Sequence, residues 1–169
     1  MRSASHRKLQ EEESMKKVTV FGAGAWGSTM AQVLSDAGND VLLWGRSTDV
    51  IAEINGAHTN TKYLSSHTLP ENIKATTDLK EAFDFSDTYV LAIPAQQLRT
   101  TLQEWKPYFA ADSVIVSTLK GIEISTQMRM TEVIEDVLGP HKIAIITGPN
   151  LADELVLRQP AGAVAAAPT

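Results

Sequence analysis

A short glycine run, set between an apolar strand and a helix, constrains this chain more than any other feature. Lys17-Val18-Thr19-Val20-Phe21 is apolar and β-branched; Gly22-Ala23-Gly24-Ala25-Trp26-Gly27 follows, and residues 28–37 read as a helix closed by Gly38. A bare G-x-G-x-x-G says little, but between a strand and a helix it is the signature of a dinucleotide-binding turn. Gly22 permits the tight turn, Gly24 lets the backbone approach a diphosphate, and Gly27 lets the helix pack on the strand. The phosphates would meet free N–H groups at the positive end of the helix dipole. The alternative is a glycine turn in an ordinary βα unit.

The rest of the chain repeats the alternation. Strands are predicted at 17–21, 40–45, 73–76, 88–93, 113–118, 142–147 and 161–167, and helices at 25–37, 48–55, 78–84, 95–105, 125–138 and 150–157. Val114-Ile115-Val116 and Ile143-Ala144-Ile145-Ile146 are continuous apolar runs, which suit strands covered on both faces. Alternating strands and helices imply an α/β fold of Rossmann type: a doubly wound, mostly parallel sheet with helices on both faces. Residues 1–15 are polar, with little to bury, and are expected to form a mobile tail; 16–169 would form the NAD(P)-binding domain. The polar stretch between Gly56 and Pro70 is long for a connection. It reads either as one edge of a ligand cleft or as a surface excursion.

Composition removes several classes of function. The 169 residues carry a net charge of −5 and no dense Lys/Arg stripe, which disfavours nucleic acid. No apolar run approaches the roughly 20 residues of a membrane span. The absence of cysteine excludes disulfides and thiolate metal sites and fits a reducing, cytoplasmic compartment. No metal site is expected.

In open α/β sheets, ligands bind beyond the carboxyl ends of the strands. After the second strand, where an NAD-specific site places an acid, stand Gly45-Arg46-Ser47-Thr48, with no acid before Asp49. A cation and two hydroxyls suit a 2′-phosphate, so NADP(H) is favoured and NAD(H) remains possible. Arg46 as a solvated helix-start residue is the competing reading. Pro94 follows the fourth strand and faces the same cleft. Lys120 follows the fifth; its ammonium could polarise a carbonyl oxygen during hydride transfer, or it could be an exposed lysine on a turn. Gly148-Pro149-Asn150, after the sixth, could hold a polar substrate group.

Taken together, Val18–Ala31 (VTVFGAGAWGSTMA), Val41–Arg46 (VLLWGR), Thr118–Glu123 (TLKGIE) and Gly148–Glu154 (GPNLADE) resemble the NAD(P)-dependent glycerol-3-phosphate dehydrogenases of bacterial type. The resemblance runs from about Lys16 to the last residue. It implies hydride transfer between NAD(P)H and dihydroxyacetone phosphate, giving glycerol 3-phosphate for phospholipid synthesis. It also implies that Gly22, Gly24, Ala25, Trp26, Gly27, Arg46, Pro94, Lys120 and Ala152 contact the cofactor. Lys120, Gly148 and Asn150 would contact the substrate. Most bacterial members carry Ser or Thr where Asn150 stands. The family adds a second, helical domain that carries the general-base lysine and the phosphate clamp. That domain is expected to be absent here, so this chain should bind cofactor without turnover. A homodimer is an expectation for the longer protein. Two other readings compete: the cofactor domain of a 3-hydroxyacid or 6-phosphogluconate-type dehydrogenase, and a non-catalytic dinucleotide sensor.

Overall fold

The computed structural model describes residues 16–65 and 67–168. The expected tail, residues 1–15, lies outside the described residues. Among those described, seven strands form one sheet in the order β3-β2-β1-β4-β5-β6-β7. They are β1 (Lys17–Phe21), β2 (Asp40–Trp44), β3 (Lys74–Thr76), β4 (Thr88–Leu91), β5 (Val114–Ser117), β6 (Lys142–Thr147) and β7 (Val164–Ala166). β1 to β6 pair parallel, and β7 runs antiparallel to β6. The chain winds outward from β1 to β3, then returns to place β4 on the other side of β1. The crevice of a doubly wound sheet therefore opens beyond the ends of β1 and β4.

The helices are α1 (Ala25–Asp36), α2 (Thr48–Ala57), α3 (Thr61–Leu64), α4 (Leu79–Phe85), α5 (Leu98–Trp105), α6 (Met130–Leu138) and α7 (Ala152–Val156). The two-residue period of the strands builds two cores. On one face Val18, Val20, Val41, Leu43 and Val90 pack with Ala31 of α1 and Val50, Ile51 and Ile54 of α2. On the other, Phe21, Tyr89, Leu91 and Ile115 meet Phe83 of α4, Leu98, Leu102 and Trp105 of α5, and Ile134 of α6. Phe21 sits at the centre of an aromatic group, its ring 4.7 Å from Phe83, 4.9 Å from Trp105 and 6.0 Å from Trp44. These tilted pairs add to burial energy and fix the end of β1, where the glycine turn begins. Thr19 points into the same layer, and its buried hydroxyl donates to the Ala82 carbonyl at 2.8 Å.

Several boundaries differ from the sequence-based expectation. The helix expected at 125–138 begins only at Met130. The residues before it close a loop instead: Glu123 N–H donates to the Met128 carbonyl, Gln127 N–H donates to the Glu123 carbonyl (both 2.8 Å), and Ile122 bridges to Arg129. Glu132 then takes the Arg129 backbone N–H at 2.8 Å, which satisfies a donor at the start of α6. The helix expected at 150–157 contracts to α7, and the last strand to Val164–Ala166. β4 ends at Leu91 rather than Ile93, although Ala92 N–H still reaches the Phe21 carbonyl. The polar stretch after α2 contains the short helix α3. Among the described residues no helix is long and apolar enough to cross a membrane.

Candidate coenzyme and substrate site

The glycine turn opens into a cleft of about 680 Å³ beyond the ends of β1 and β4. Gly22 has φ +119°, and a Cβ there would stand 2.4 Å from the Ala92 carbonyl oxygen. At Gly27 the steric limit is closer still: a Cβ would lie 1.7 Å from the Gly22 carbonyl oxygen. These two positions let α1 seat against β1 and β4. Gly24 differs, because nothing stands within 4 Å of a Cβ built on it. It borders the cleft, where a ligand can approach the chain. The amides of Ala25, Trp26 and Gly27, at the first positions of α1, have no carbonyl four residues earlier within the helix. The indole N–H of Trp26 is buried without a partner among the described residues. An open backbone and free helix amides together fit the diphosphate of a dinucleotide.

Arg46 and Ser47 line the same cleft after β2. Arg46 is exposed and forms no ion pair among the described residues. Ser47 caps α2, its oxygen taking the Val50 N–H at 3.5 Å, so its hydroxyl hydrogen stays available. Asp49 is the first acid, already inside the first turn of α2. Pro94 is exposed on the cleft wall after β4; Thr101 and Glu104 of α5 also line it.

The polar connection after α2 forms an edge of this cleft through Tyr63 of α3, which is 43% exposed. Its neighbour Asn60 is fully buried and donates to both the Ala23 carbonyl (3.1 Å) and the Ser28 hydroxyl (2.8 Å). Glu53 of α2 holds the segment from outside, taking the Thr59 hydroxyl at 2.7 Å and the Thr61 N–H at 2.8 Å. These bonds, with Thr61 first, hold the Glu53 carboxyl below its ordinary value.

A second cavity of about 390 Å³ shares Ala25, Trp26, Ala92 and Ile93 with the first. Lys120, Asn150 and Ala152 line it. The Lys120 ammonium donates to the Gly148 carbonyl (3.1 Å), the Asn150 carbonyl (3.3 Å) and Asn150 Oδ1 (3.4 Å). It also stands 5.7 Å from the centre of the Trp26 ring, within range of a cation–π attraction. Asn150 is buried, and its Nδ2 donates to the Gly162 carbonyl at 3.4 Å. Ala152 opens α7, which packs on α1: Thr29 donates to the Ala152 carbonyl and Gln32 to that of Val156. Lys120, Asn150, Trp26 and Ala152, drawn from three separate strand ends, thus meet around one cavity, and Gly148 joins them through the carbonyl that accepts from Lys120.

The loop that carries Lys120 is fastened to the end of β4. The Gln96 side chain donates to the Ile122 carbonyl (2.8 Å) and accepts from the Ile124 N–H (3.1 Å). Arg99 grips the buried Glu123 carboxylate with Nε and Nη2 and reaches Asp136 with Nη1. The Arg99 guanidinium, followed by the Thr126 hydroxyl, lowers the Glu123 pKa; Glu123 and Asp136 raise that of Arg99. Sequence reasoning did not single out Asn60, Tyr63, Gln96 or Arg99. The unusual length of the 56–70 connection was the one signal for the first two.

Comparison with known proteins narrows the reading. The sequence profile described as NAD-dependent glycerol-3-phosphate dehydrogenase N-terminus matches residues 17–169. A glycerol-3-phosphate dehydrogenase (NAD(P)+) of Streptomyces avermitilis is 50% identical over 152 residues, covering 89% of this chain and 45% of that protein. The enzyme of the same name from Corynebacterium diphtheriae is 48% identical over 152 residues, covering 89% and 46%. The chain thus spans about half the length of the curated relatives it matches. Among solved structures, the glycerol-3-phosphate dehydrogenase of Coxiella burnetii superposes with a TM-score of 0.84 at 28% identity, over 92% of this chain and 47% of that one. The Saccharomyces cerevisiae enzyme gives 0.81 at 28% identity, over 90% and 47%.

Proposed function

Because the chain belongs to the family of the NAD-dependent glycerol-3-phosphate dehydrogenase N-terminus, we propose that it is the coenzyme-binding half of an sn-glycerol-3-phosphate dehydrogenase. The observation that carries this reading is the meeting of Lys120, Gly148 and Asn150 beside Trp26, next to the open glycine turn. The turn and the first amides of α1 hold the diphosphate, and Arg46, Ser47 and Thr48 receive a 2′-phosphate, so NADP(H) is preferred to NAD(H). Pro94 and Ala152 border the coenzyme on the strand-end side. A bound nicotinamide supplies or accepts the hydride exchanged with the carbinol carbon of glycerol 3-phosphate.

The chain's own residues do the positioning. Lys120 donates to the substrate oxygen that gains negative charge as the carbonyl is reduced, and preorganised charge at that point lowers the barrier. Gly148 and Asn150 hold the ammonium in place and offer the substrate a carbonyl and an amide. Lys120 is the single titratable side chain lining the smaller cavity among the described residues, and its protons already face three oxygens. These residues therefore bind coenzyme and orient substrate, while the proton transfer is left to a base outside them; alone they turn over negligibly. The longer protein is read as a homodimer. The reading includes a cytoplasmic location, which rests on composition.

Parallel fluorescence titrations with NADPH and NADH, repeated on Arg46→Asp, test the proposal. NADPH should bind more tightly than NADH, and the substitution should abolish that preference. Equal NADPH affinity in both proteins would remove Arg46 from the phosphate site, and no saturable binding of either coenzyme would end the coenzyme reading.

A further inference from the structure

We propose that Asn60 is a positioning residue for the diphosphate turn, an inference that rests on the coenzyme reading above. Asn60 stands in the long connection after α2, 37 residues from Ala23, yet its amide nitrogen donates to both the Ala23 carbonyl and the Ser28 hydroxyl. One NH₂ group thus ties the middle of the glycine turn to the first turn of α1.

The orientation of that amide is fixed by chemistry. The Ala23 carbonyl can only accept, so the nitrogen must face it. Oδ1 is then left buried without a partner among the described residues. An unpaired buried acceptor costs stability; leucine, of similar shape, would remove that acceptor at the expense of the two bonds the nitrogen donates. Two direct partners of Asn60, Ala23 and Leu64, belong to one apolar cluster. A polar residue with half of its hydrogen-bonding capacity wasted marks a position kept for what the other half does.

That half sets a peptide plane. In a trans peptide the C=O and the following N–H point in opposite directions. With the Ala23 carbonyl held toward Asn60, the Gly24 N–H is aimed the other way. The Gly24 N–H has no acceptor among the described residues, and Gly24 borders the open cleft. Asn60 thereby keeps the Gly24 N–H turned out for a phosphate oxygen before any ligand arrives. Asn60 is itself immobilised: its carbonyl takes the Tyr63 and Leu64 N–H groups, and Glu53 grips Thr59 and Thr61 on either side.

The test compares two ligands on Asn60→Leu: NADPH, which carries the diphosphate, and 2′-AMP, which presents the adenosine end without it. The expected result is at least a tenfold loss of NADPH affinity, with 2′-AMP affinity within twofold of wild type and an unfolding temperature within a few degrees. Should the leucine variant not fold, Asn60→Ala is read with the same pair of ligands. Unchanged NADPH affinity in a folded variant, or equal loss of both ligands, overturns the proposal while leaving the coenzyme reading intact. Failure of the wild-type chain to bind NADPH overturns both.

Discussion

Two glycines of one motif should fail in opposite ways when given a methyl group. At Gly27 the new Cβ would lie 1.7 Å from the Gly22 carbonyl oxygen, against the 3.0 Å that real Cβ atoms keep. The obstacle is backbone, so α1 must retreat from β1 by about 1.3 Å. Overpacking of this kind costs about 1–3 kcal/mol or more. Alanine's better helix propensity returns only about 1 kcal/mol. The net loss, up to about 2 kcal/mol, lowers the unfolding temperature by up to roughly 8 °C for a chain of this size. At Gly24 φ is −81° and the space is empty, so alanine should cost the fold no more than about 1 kcal/mol as a poorer helix cap. Its methyl group, however, occupies the approach of the diphosphate and should weaken NADPH binding tenfold or more, about 1.4 kcal/mol. Thermal unfolding by circular dichroism and an NADPH titration on both variants give the four numbers needed. A Gly24→Ala protein that melts as early as Gly27→Ala, or binds NADPH like wild type, refutes the reasoning.

Other perturbations probe the surroundings. Lys120→Met should leave the melting temperature within a few degrees, because the side chain is exposed; binding of dihydroxyacetone phosphate in the presence of NADP+, followed by NMR, should weaken more than tenfold. Arg99→Met should free the loop before α6: amide exchange at Glu123 and Gln127 should accelerate at least tenfold, while exchange in β1 stays unchanged. Glu53 carries a lowered pKa from an ordinary value near 4.5. Its stabilising contribution is therefore complete above that value and lost as pH falls through the lower folded one. Glu53→Gln should melt below wild type at pH 7, and the gap should narrow as pH falls below the ordinary value; a gap that widens on acidification would contradict the assignment.

Strands β1, β2 and β4 were legible because they are apolar runs followed by glycine or proline, and burial on both faces leaves such runs no other use; β6, an equally apolar run, is only half-buried. The glycine turn was legible for a related reason, since its residues meet each other over a few positions in sequence. The start of α6 was not. Gln127, Met128 and Arg129 are good helix formers, but Glu123 is claimed by Arg99, 24 residues earlier, and its backbone bonds to Met128 and Gln127 close a loop before the helix can begin. Asn60 escaped notice for the same cause: its partners are Ala23 and Ser28, and no local pattern reports a contact made across 37 residues. Lys120 was found from its place after β5, yet its three oxygen partners come from the turn after β6 and emerge only when the strands lie side by side.

The indole shared by the two cavities gives the chain a built-in optical gauge. Trp44 and Trp105 lie in the aromatic core, 8% and 5% exposed, and border only the larger cavity, whereas Trp26 forms a common wall of both cavities and carries the Lys120 charge near its ring. Light absorbed there would pass by energy transfer to a reduced nicotinamide bound alongside, and a ligand that draws the ammonium away would brighten or shift the residual emission. Of the three indoles, Trp26 alone would then report the filling of the smaller chamber, without any label.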